Sequence, residues 1–149
     1  MTERWYLFVD GASRGNPGPS GVGYVLLRGN TVMKEGGYFV GTGTNNRAEY
    51  CALIVGLASF KEVLKKMGMS GTLTVYADSE LLVRQVTGIY RVRNSTLQVL
   101  WKTVHQLLDG VNAHIEHIVR EKNSHADALA NEGIDMKREL PASIQTLCV

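Results

Sequence analysis

Four acidic residues occupy positions from which they could hold divalent cations, although they are far apart along the chain. Asp10 and Asp78 each directly follow a short apolar run that is typical of a buried strand. Glu49 and Asp127 lie near the starts of two segments in which apolar residues have helical spacing. In open α/β sheets, ligand sites form beyond the carboxyl ends of the strands, which is where Asp10 and Asp78 are expected.

The chemistry of such a group depends on how its charges are balanced. Four carboxylates within a few ångströms repel one another, and some would have to stay protonated without a counter-charge. Mg²⁺ prefers oxygen ligands and retains water and phosphate oxygens in its coordination shell. Two ions about 4 Å apart promote in-line phosphoryl transfer, because one activates water and the other stabilises the leaving oxygen. If the acids meet, they predict phosphodiester chemistry.

Each acid also has an ordinary structural explanation when it is considered alone. Asp10-Gly11 could form a turn, and Asp78 could cap a helix that follows it. Asn46–Glu49 and Ser124–Asp127 have the spacing of capping boxes, in which an acid follows the cap by three residues. The spacing therefore leaves both interpretations open, and the fold decides between them.

The order of predicted elements indicates an α/β fold. Gly29-Asn30 predicts a hairpin turn between the second and third strands. The predicted elements are strands at 5–9, 22–27 and 31–40, a helix at about 46–67, a strand at 73–77, helices at 79–87 and 96–108, a strand at 113–119 and a helix at 124–136. This order predicts one domain over residues 1–140, with helices covering a mixed sheet. The apolar residues of segment 141–149 predict that it docks on the domain.

The composition is that of one globular domain, with 149 residues of which 44% are hydrophobic and 20% charged. No run approaches the ~20 apolar residues of a transmembrane helix, and no basic leader precedes an apolar segment, so we expect a cytoplasmic protein. The net charge of +2 only weakly favours the binding of polyanions.

Cys51 and Cys148 have neither metal-site nor redox spacing. They are expected to be free buried thiols, with a disulfide as the alternative.

Four blocks of sequence resemble type 1 ribonuclease H. They are residues 8–18 (FVDGASRGNPG), 44–49 (TNNRAE), 77–79 (ADS) and 119–127 (VREKNSHAD). They occur in the order of the family and span about residues 5–135. The resemblance implies an RNase H-like fold, with a five-stranded mixed sheet of three antiparallel and two parallel strands flanked by helices. It also implies that Asp10, Glu49, Asp78 and Asp127 are both the catalytic residues and the metal ligands.

The activity that the resemblance implies is hydrolysis of the RNA strand of RNA–DNA hybrids with two Mg²⁺ ions, for which Mn²⁺ is an alternative. The products would carry 5′-phosphate and 3′-hydroxyl ends. Asp10 would bridge both ions, and Asp127 would complete the ion that activates water. Glu49 and Asp78 would hold the ion on the leaving-group side. We expect the hybrid as the partner of a monomer, with no obligatory protein partner and no membrane.

The resemblance also implies a set of substrate-binding residues. Its members are Gly11, Ser13, Asn16, Thr44, Asn45, Asn46, Ser79 and Glu80. The glycine-rich segment 11–18 matches contacts to RNA 2′-hydroxyls, the group that distinguishes RNA from DNA. Thr44 and Asn46 match a pocket for a DNA phosphate, and Asn45 matches a minor-groove contact. Turn and capping chemistry is the alternative explanation for the asparagines, and Arg47 is either a contact or an ordinary surface charge.

The sequence departs from the family pattern at several positions. Glu80 stands where many relatives have Gln, and its charge is predicted either to weaken contacts to the nucleic-acid backbone or to adjust contacts to the base edges. The basic protrusion of some relatives is missing, although Arg91 and Arg93 could contact phosphates or simply face solvent. His125 could serve in proton transfer or product release. With no hybrid-binding module expected before residue 1, few phosphates are neutralised, which predicts weak and salt-sensitive binding.

Two other functions remain compatible with these residues. A nuclease of the same fold could also act on double-stranded RNA, whereas Asn16 and the block 44–46 argue against DNA junctions. A non-catalytic hybrid-binding domain is the other alternative. Four intact acids argue against it, because a domain without catalysis gains nothing from keeping carboxylates that repel.

Overall fold

The structure is a computed structural model that describes residues 3–148, and its elements follow the predicted order. They are β1 Glu3–Ser13, β2 Gly18–Arg28, β3 Thr31–Gly43, α1 Asn45–Met67, β4 Gly71–Ala77, α2 Glu80–Val86, α3 Ser95–Leu108, β5 Asn112–His117 and α4 Ser124–Asp135. Short 3₁₀ helices cover Arg120–Asn123 and Gln145–Cys148. The first three strands are longer than predicted, and β5 ends at His117 instead of residue 119.

The five strands form one mixed sheet in the order β3-β2-β1-β4-β5, which confirms the predicted fold class. β2 is antiparallel to both β1 and β3, whereas β4 is parallel to both β1 and β5. In the β1–β4 register Val9 lies opposite Ala77. The next residues along these strands are Asp10 and Asp78, so the parallel pairing places both acids at one edge of the sheet.

Helix α1 covers one face of the sheet and forms much of the core. Leu7 and Val9 on β1 are fully buried, and twelve residues of α1 are buried as well. A β-carbon on Gly56 would lie 2.9 Å from side-chain atoms of both Leu7 and Val9, so this glycine lets the helix approach the strand closely. The long buried helix is therefore a fixed support for the residues at its start, which include Glu49.

Helix α4 lies on the opposite face, where its backbone rests directly on glycines of the sheet. Gly23 and Gly37 are opposite each other on β2 and β3. A β-carbon on Gly23 would overlap the carbonyl oxygen of Ala126, and one on Gly37 would overlap that of Leu129. These two glycines set the distance between α4 and the sheet, and with it the position of Asp127.

The segment after residue 140 packs on the rest of the chain. Ile144 is only 1% exposed and belongs to the core cluster, and Cys148 is buried as well. Cys51 and Cys148 are free thiols. Val149 lies outside the described residues, and the division of the chain at residue 140 stays a prediction. Within residues 3–148, no helix combines the length and apolarity needed to cross a membrane.

The close approach of α4 to the sheet predicts that Gly37→Ala destabilises the protein by about 1–3 kcal/mol, since the new methyl group overlaps helix backbone that cannot rotate away. The neighbouring Gly36→Ala is the matched control. Its methyl group would meet the ring of Tyr38, a side chain that can move. Urea unfolding of the three proteins tests the prediction, and equal stabilities for both variants would show that α4 is not held by this contact.

Candidate active site

The four predicted acids meet at one edge of the sheet. Oxygen atoms of Asp10, Glu49 and Asp78 lie within 4.8 Å of one another. Asp127, from α4, shares a side-chain hydrogen bond with Asp10. Asp10, Glu49 and Asp127 line a cleft of about 410 Å³. Two strands and two helices, distant along the chain, therefore supply one carboxylate each to a common site.

The close passage of β1 beside α1 brings Asp10 next to Glu49. Gly11 makes this possible, because a β-carbon there would overlap the backbone of Ala48 and Glu49. The backbone N–H of Gly11 also donates to the Glu49 carboxylate. Asp10 lies inside β1, opposite Gly23, so the alternative in which Asp10-Gly11 forms a turn is wrong.

Helix capping does not account for the acids. Thr44 caps α1, which places Glu49 in the second turn rather than in the predicted first turn. Ser79, not Asp78, caps α2 with its side chain. Helix α4 has no side-chain hydrogen bond at its N-cap. The capping-box alternatives are therefore wrong for both helices, since each predicted cap lies inside its helix.

Asp10 lies in the least favourable electrostatic environment of the site. It is only 4% exposed. Burial raises the pKa of Asp10, and the nearby charges of Glu49 and Asp78 and the hydrogen bond with Asp127 raise it further. Asp10 therefore holds its proton more strongly than an ordinary aspartate does.

Glu49 has a raised pKa as well, and one of its carboxylate oxygens lacks a hydrogen-bond partner among residues 3–148. Burial raises the pKa of Glu49, as does the charge of Asp78, whereas the N–H of Gly11 and the charge of Arg120 lower it. Its Oε2 atom is buried and has no hydrogen-bond partner within residues 3–148. A hard divalent cation fits this site, because the donors are all carboxylate oxygens and a cation would satisfy the unpaired one.

Two asparagines that the sequence analysis did not select hold the acids in place. Asn123 is buried, and its Nδ2 donates to the Val9 carbonyl at 2.9 Å and to Asp78 Oδ2 at 3.3 Å. Asn131 Nδ2 lies 3.4 Å from Asp127 Oδ1, one turn further along α4. Asn123 lies in the matched block 119–127, but the residues around it do not predict that the Asn123 side chain contacts β1.

Five of the predicted substrate-binding residues share the cleft with the acids. They are Gly11, Ser13, Asn45, Asn46 and Ser79. Arg120 also lines the wall of this cleft. Ser13 Oγ donates to the Gly43 carbonyl at 2.9 Å, so the hydroxyl also ties β1 to the end of β3. The structure therefore brings these residues to the acids.

A second groove, of about 320 Å³, adjoins the cleft and is named here the Thr44 groove. It is lined by Asn16, Gly43, Thr44, Asn46, Arg47, Asn94, Thr96 and Leu97. Asn46 lines both the cleft and this groove. Asn16 Oδ1 accepts from the backbone N–H of Asn45 at 3.1 Å, which ties the β1–β2 loop to α1. Asn94, the cap of α3, is a polar residue of the groove that the sequence analysis did not select.

The remaining candidates line neither the cleft nor the Thr44 groove. Glu80 is exposed and its Oε1 lies 2.6 Å from Arg84. Arg91 and Arg93 are exposed on the connection between α2 and α3. The Nε2 atom of His125 lies 2.6 Å from a carboxylate oxygen of Glu35 on β3. The structure thus places these side chains apart from the four acids, and their predicted roles stay predictions.

Comparison with known proteins finds relatives that are similar to this chain in sequence and in fold. The family model described as Reverse transcriptase-like matches residues 8–133. A ribonuclease HI of Halobacterium salinarum is 40% identical over 134 residues, and a ribonuclease H of Coxiella burnetii is 36% identical over 146. The crystal structure of LC11-RNase H1 in complex with an RNA/DNA hybrid has a TM-score of 0.83 at 36% identity, covering 89% of this chain and 97% of that one.

The relatives differ in how much of their length the chain spans. The matched region is 89% of this chain and 65% of the Halobacterium protein. It covers only 36% of a bifunctional protein of Mycobacterium tuberculosis. For the Coxiella protein the match covers 87% of this chain and 89% of that protein.

The environment of Asp10 predicts that Asp10→Asn raises the melting temperature in metal-free buffer, because the amide is neutral at every pH, whereas the buried carboxyl must take up a proton to become neutral. The raised pKa means that the unfolded chain loses this proton more readily than the folded one, so rising pH destabilises the folded protein. The difference between variant and parent should therefore grow between about pH 5 and pH 8. The exposed Glu139→Gln is the control in thermal melts with chelator, and a lower melting temperature for Asp10→Asn would contradict the prediction.

Proposed function

The chain belongs to the type 1 ribonuclease H family, and we propose that it is an endonuclease that hydrolyses the RNA strand of RNA–DNA hybrids. The observation that carries this proposal is the meeting of four carboxylates from separate parts of the chain, three of which line one cleft. The hybrid bound to LC11-RNase H1, a relative with the same fold, supports the choice of substrate.

Asp10, Glu49, Asp78 and Asp127 would hold two Mg²⁺ ions, for which Mn²⁺ is an alternative. When bound, such a pair supplies an activated water and stabilises the leaving oxygen, which gives 5′-phosphate and 3′-hydroxyl ends. Asp10 would be the central ligand of this group, because it lies beside each of the other three acids. The unpaired oxygen of Glu49 supports the same assignment.

The surrounding residues keep the carboxylates in position before substrate arrives. Asn123 connects the Asp78 carboxylate to the Val9 carbonyl within β1, and Asn131 restrains Asp127 from the next turn of α4. Hydrogen bonds of this kind orient ligand groups and limit their motion. The charge of Arg120 favours the ionised form of Glu49.

The cleft and the Thr44 groove suit two different strands of one duplex. Glycine and small polar side chains line the cleft, so a strand can approach closely enough for its 2′-hydroxyls to be contacted. In the Thr44 groove, the hydroxyl of Thr44 and the amides of Asn16, Asn46 and Asn94 suit a DNA phosphate. Asn46 lies between the two sites, which supports recognition of an RNA strand and a DNA strand at the same time.

We further propose that the protein acts as a monomer in the cytoplasm. The two free, buried thiols of Cys51 and Cys148 suit a reducing compartment.

A substrate panel tests the activity: hybrid, duplex RNA, duplex DNA and single-stranded RNA, each with Mg²⁺ or with EDTA. We expect cleavage of the hybrid alone, 5′-phosphate ends on the RNA products, and no cleavage with EDTA. Asp10→Asn should be folded and inactive, and Glu139→Gln should match the parent. Comparable cleavage of duplex RNA would favour the broader nuclease, and hybrid binding without cleavage would favour a non-catalytic domain.

Removing the charge of Glu80 should tighten hybrid binding about two- to threefold. Glu80 follows Ser79, a residue of the cleft wall, and its charge near a polyanion weakens binding. Glu80→Gln can be compared with the parent by fluorescence anisotropy at several salt concentrations. An affinity that is unchanged at every salt concentration would place Glu80 outside the interface.

A further inference from the structure

We propose that Arg47 provides the positive charge that binds a nucleic-acid phosphate in the Thr44 groove, and that the C-terminal segment holds its side chain in place. This inference rests on the proposed function, because it assigns one residue and one segment to the binding of the hybrid. The C-terminal segment is defined as residues 141–148.

The charges around the Thr44 groove single out Arg47. Among the eight described residues that line it, Arg47 alone carries an ionisable side chain. The others are neutral polar or apolar residues, so they can donate hydrogen bonds to a phosphate but cannot balance its charge. Arginine is well suited to this role, because its planar guanidinium can donate two parallel hydrogen bonds to phosphate oxygens.

The side chain of Arg47 is held in a defined position. Its Nη1 donates to the Val40 carbonyl at 3.0 Å, and its Nη2 donates to the Cys148 carbonyl at 3.1 Å. A guanidinium has five N–H groups, so donors remain for a ligand after these two bonds. A β-carbon on Gly43 would lie 3.0 Å from atoms of Arg47, and the glycine therefore leaves room for this conformation. A held side chain loses less conformational entropy on binding than a free one.

One of these two carbonyls belongs to the C-terminal segment, 101 positions away in sequence. The Cys148 carbonyl is fixed because Ile144 and Cys148 are buried against the core. The Cys51 and Cys148 thiols reinforce the contact, since each lies close to the other residue's carbonyl oxygen, at 4.0 and 3.8 Å. Docking of the segment therefore determines where Arg47 places its charge, and release of the segment should weaken substrate binding without touching the four acids.

The alternative is that Arg47 only cross-links two carbonyl groups and never contacts the hybrid. Salt dependence distinguishes the two roles. Each phosphate that a protein neutralises contributes about −0.9 to the slope of log affinity against log salt concentration. A purely structural arginine leaves that slope unchanged when it is replaced, even if its loss lowers stability.

The first experiment compares Arg47→Met, Arg47→Lys and the parent between about 50 and 200 mM KCl, with steady-state kinetics on the hybrid and anisotropy binding. For Arg47→Met we expect KM to rise about tenfold, kcat to stay within about twofold, and the slope to become shallower by about 1. Arg47→Lys should restore most of the slope. Arg28→Met is the control, because Arg28 is at the far end of β2 and pairs with Glu3.

The outcomes separate this inference from the proposed function. A slope for Arg47→Met equal to that of the parent, in an enzyme that still cleaves hybrid, would overturn the role of Arg47 and leave the function intact. A parent protein that cleaves no hybrid would instead refute the proposed function.

The second experiment releases the C-terminal segment without changing Arg47. Ile144→Ala removes its most buried side chain, and Leu147→Ala is a milder variant in case the first does not fold. Reaction of Cys51 and Cys148 with a thiol reagent reports release, because both thiols are buried when the segment is docked. We expect faster thiol reaction, a KM raised about three- to tenfold and a nearly unchanged kcat. Exposed thiols with the KM and salt slope of the parent would show that the segment does not position Arg47.

Discussion

The repulsion among carboxylates at the carboxyl edge of β1 and β4 is the constraint around which the fold is arranged. Asp10 is almost fully buried beside Glu49 and Asp78, so its charge is poorly screened by solvent. Such a group of acids stays together only where the packing of the surrounding backbone outweighs the electrostatic repulsion among the carboxylates. The parallel β1–β4 register, the long buried α1 and the contact of α4 with the sheet supply that firmness. Each acid comes from a different one of these elements, so none can move away alone.

Glycine is what allows the elements to come so close. Gly11 lets β1 pass against the backbone of α1, and Gly23 and Gly37 let α4 rest on the sheet. In each case the neighbouring atoms are backbone, which cannot rotate aside as a side chain can. The resemblance implies that the segment 11–18 contacts the 2′-hydroxyls of the RNA strand. Gly11 lies in β1 and lines the cleft, but its tightest contact is internal and sets the distance between Asp10 and Glu49.

Much of this arrangement could be predicted from the sequence, because apolar periodicity determines the elements and the parallel strands place Asp10 and Asp78 together. What could not be predicted depends on side chains that reach across the fold. Asn123 has the sequence context of an ordinary turn residue, but its amide binds both the Val9 carbonyl in β1 and the carboxylate of Asp78, which follows β4. The cap of α1 is Thr44, five residues before Glu49, and no local signal distinguishes it from Asn46. The pairing of His125 with Glu35 likewise depends on how α4 packs against β3.

The two adjoining sites explain how a protein with a net charge of only +2 could select a duplex. Charge alone would attract any polyanion, but Arg120 is the cation of the cleft wall and Arg47 that of the Thr44 groove. With so few basic side chains at the two sites, binding of the duplex depends on hydrogen bonds, which require correct geometry. On the proposed function, a duplex gains both sets of contacts only if one strand offers 2′-hydroxyls at the cleft while the other places a phosphate in the groove. Selectivity then follows from the fixed spacing between the sites, which Asn46 and the α1 backbone determine. A weak electrostatic contribution favours this selectivity, since a strongly basic surface would also hold duplexes that satisfy only one site.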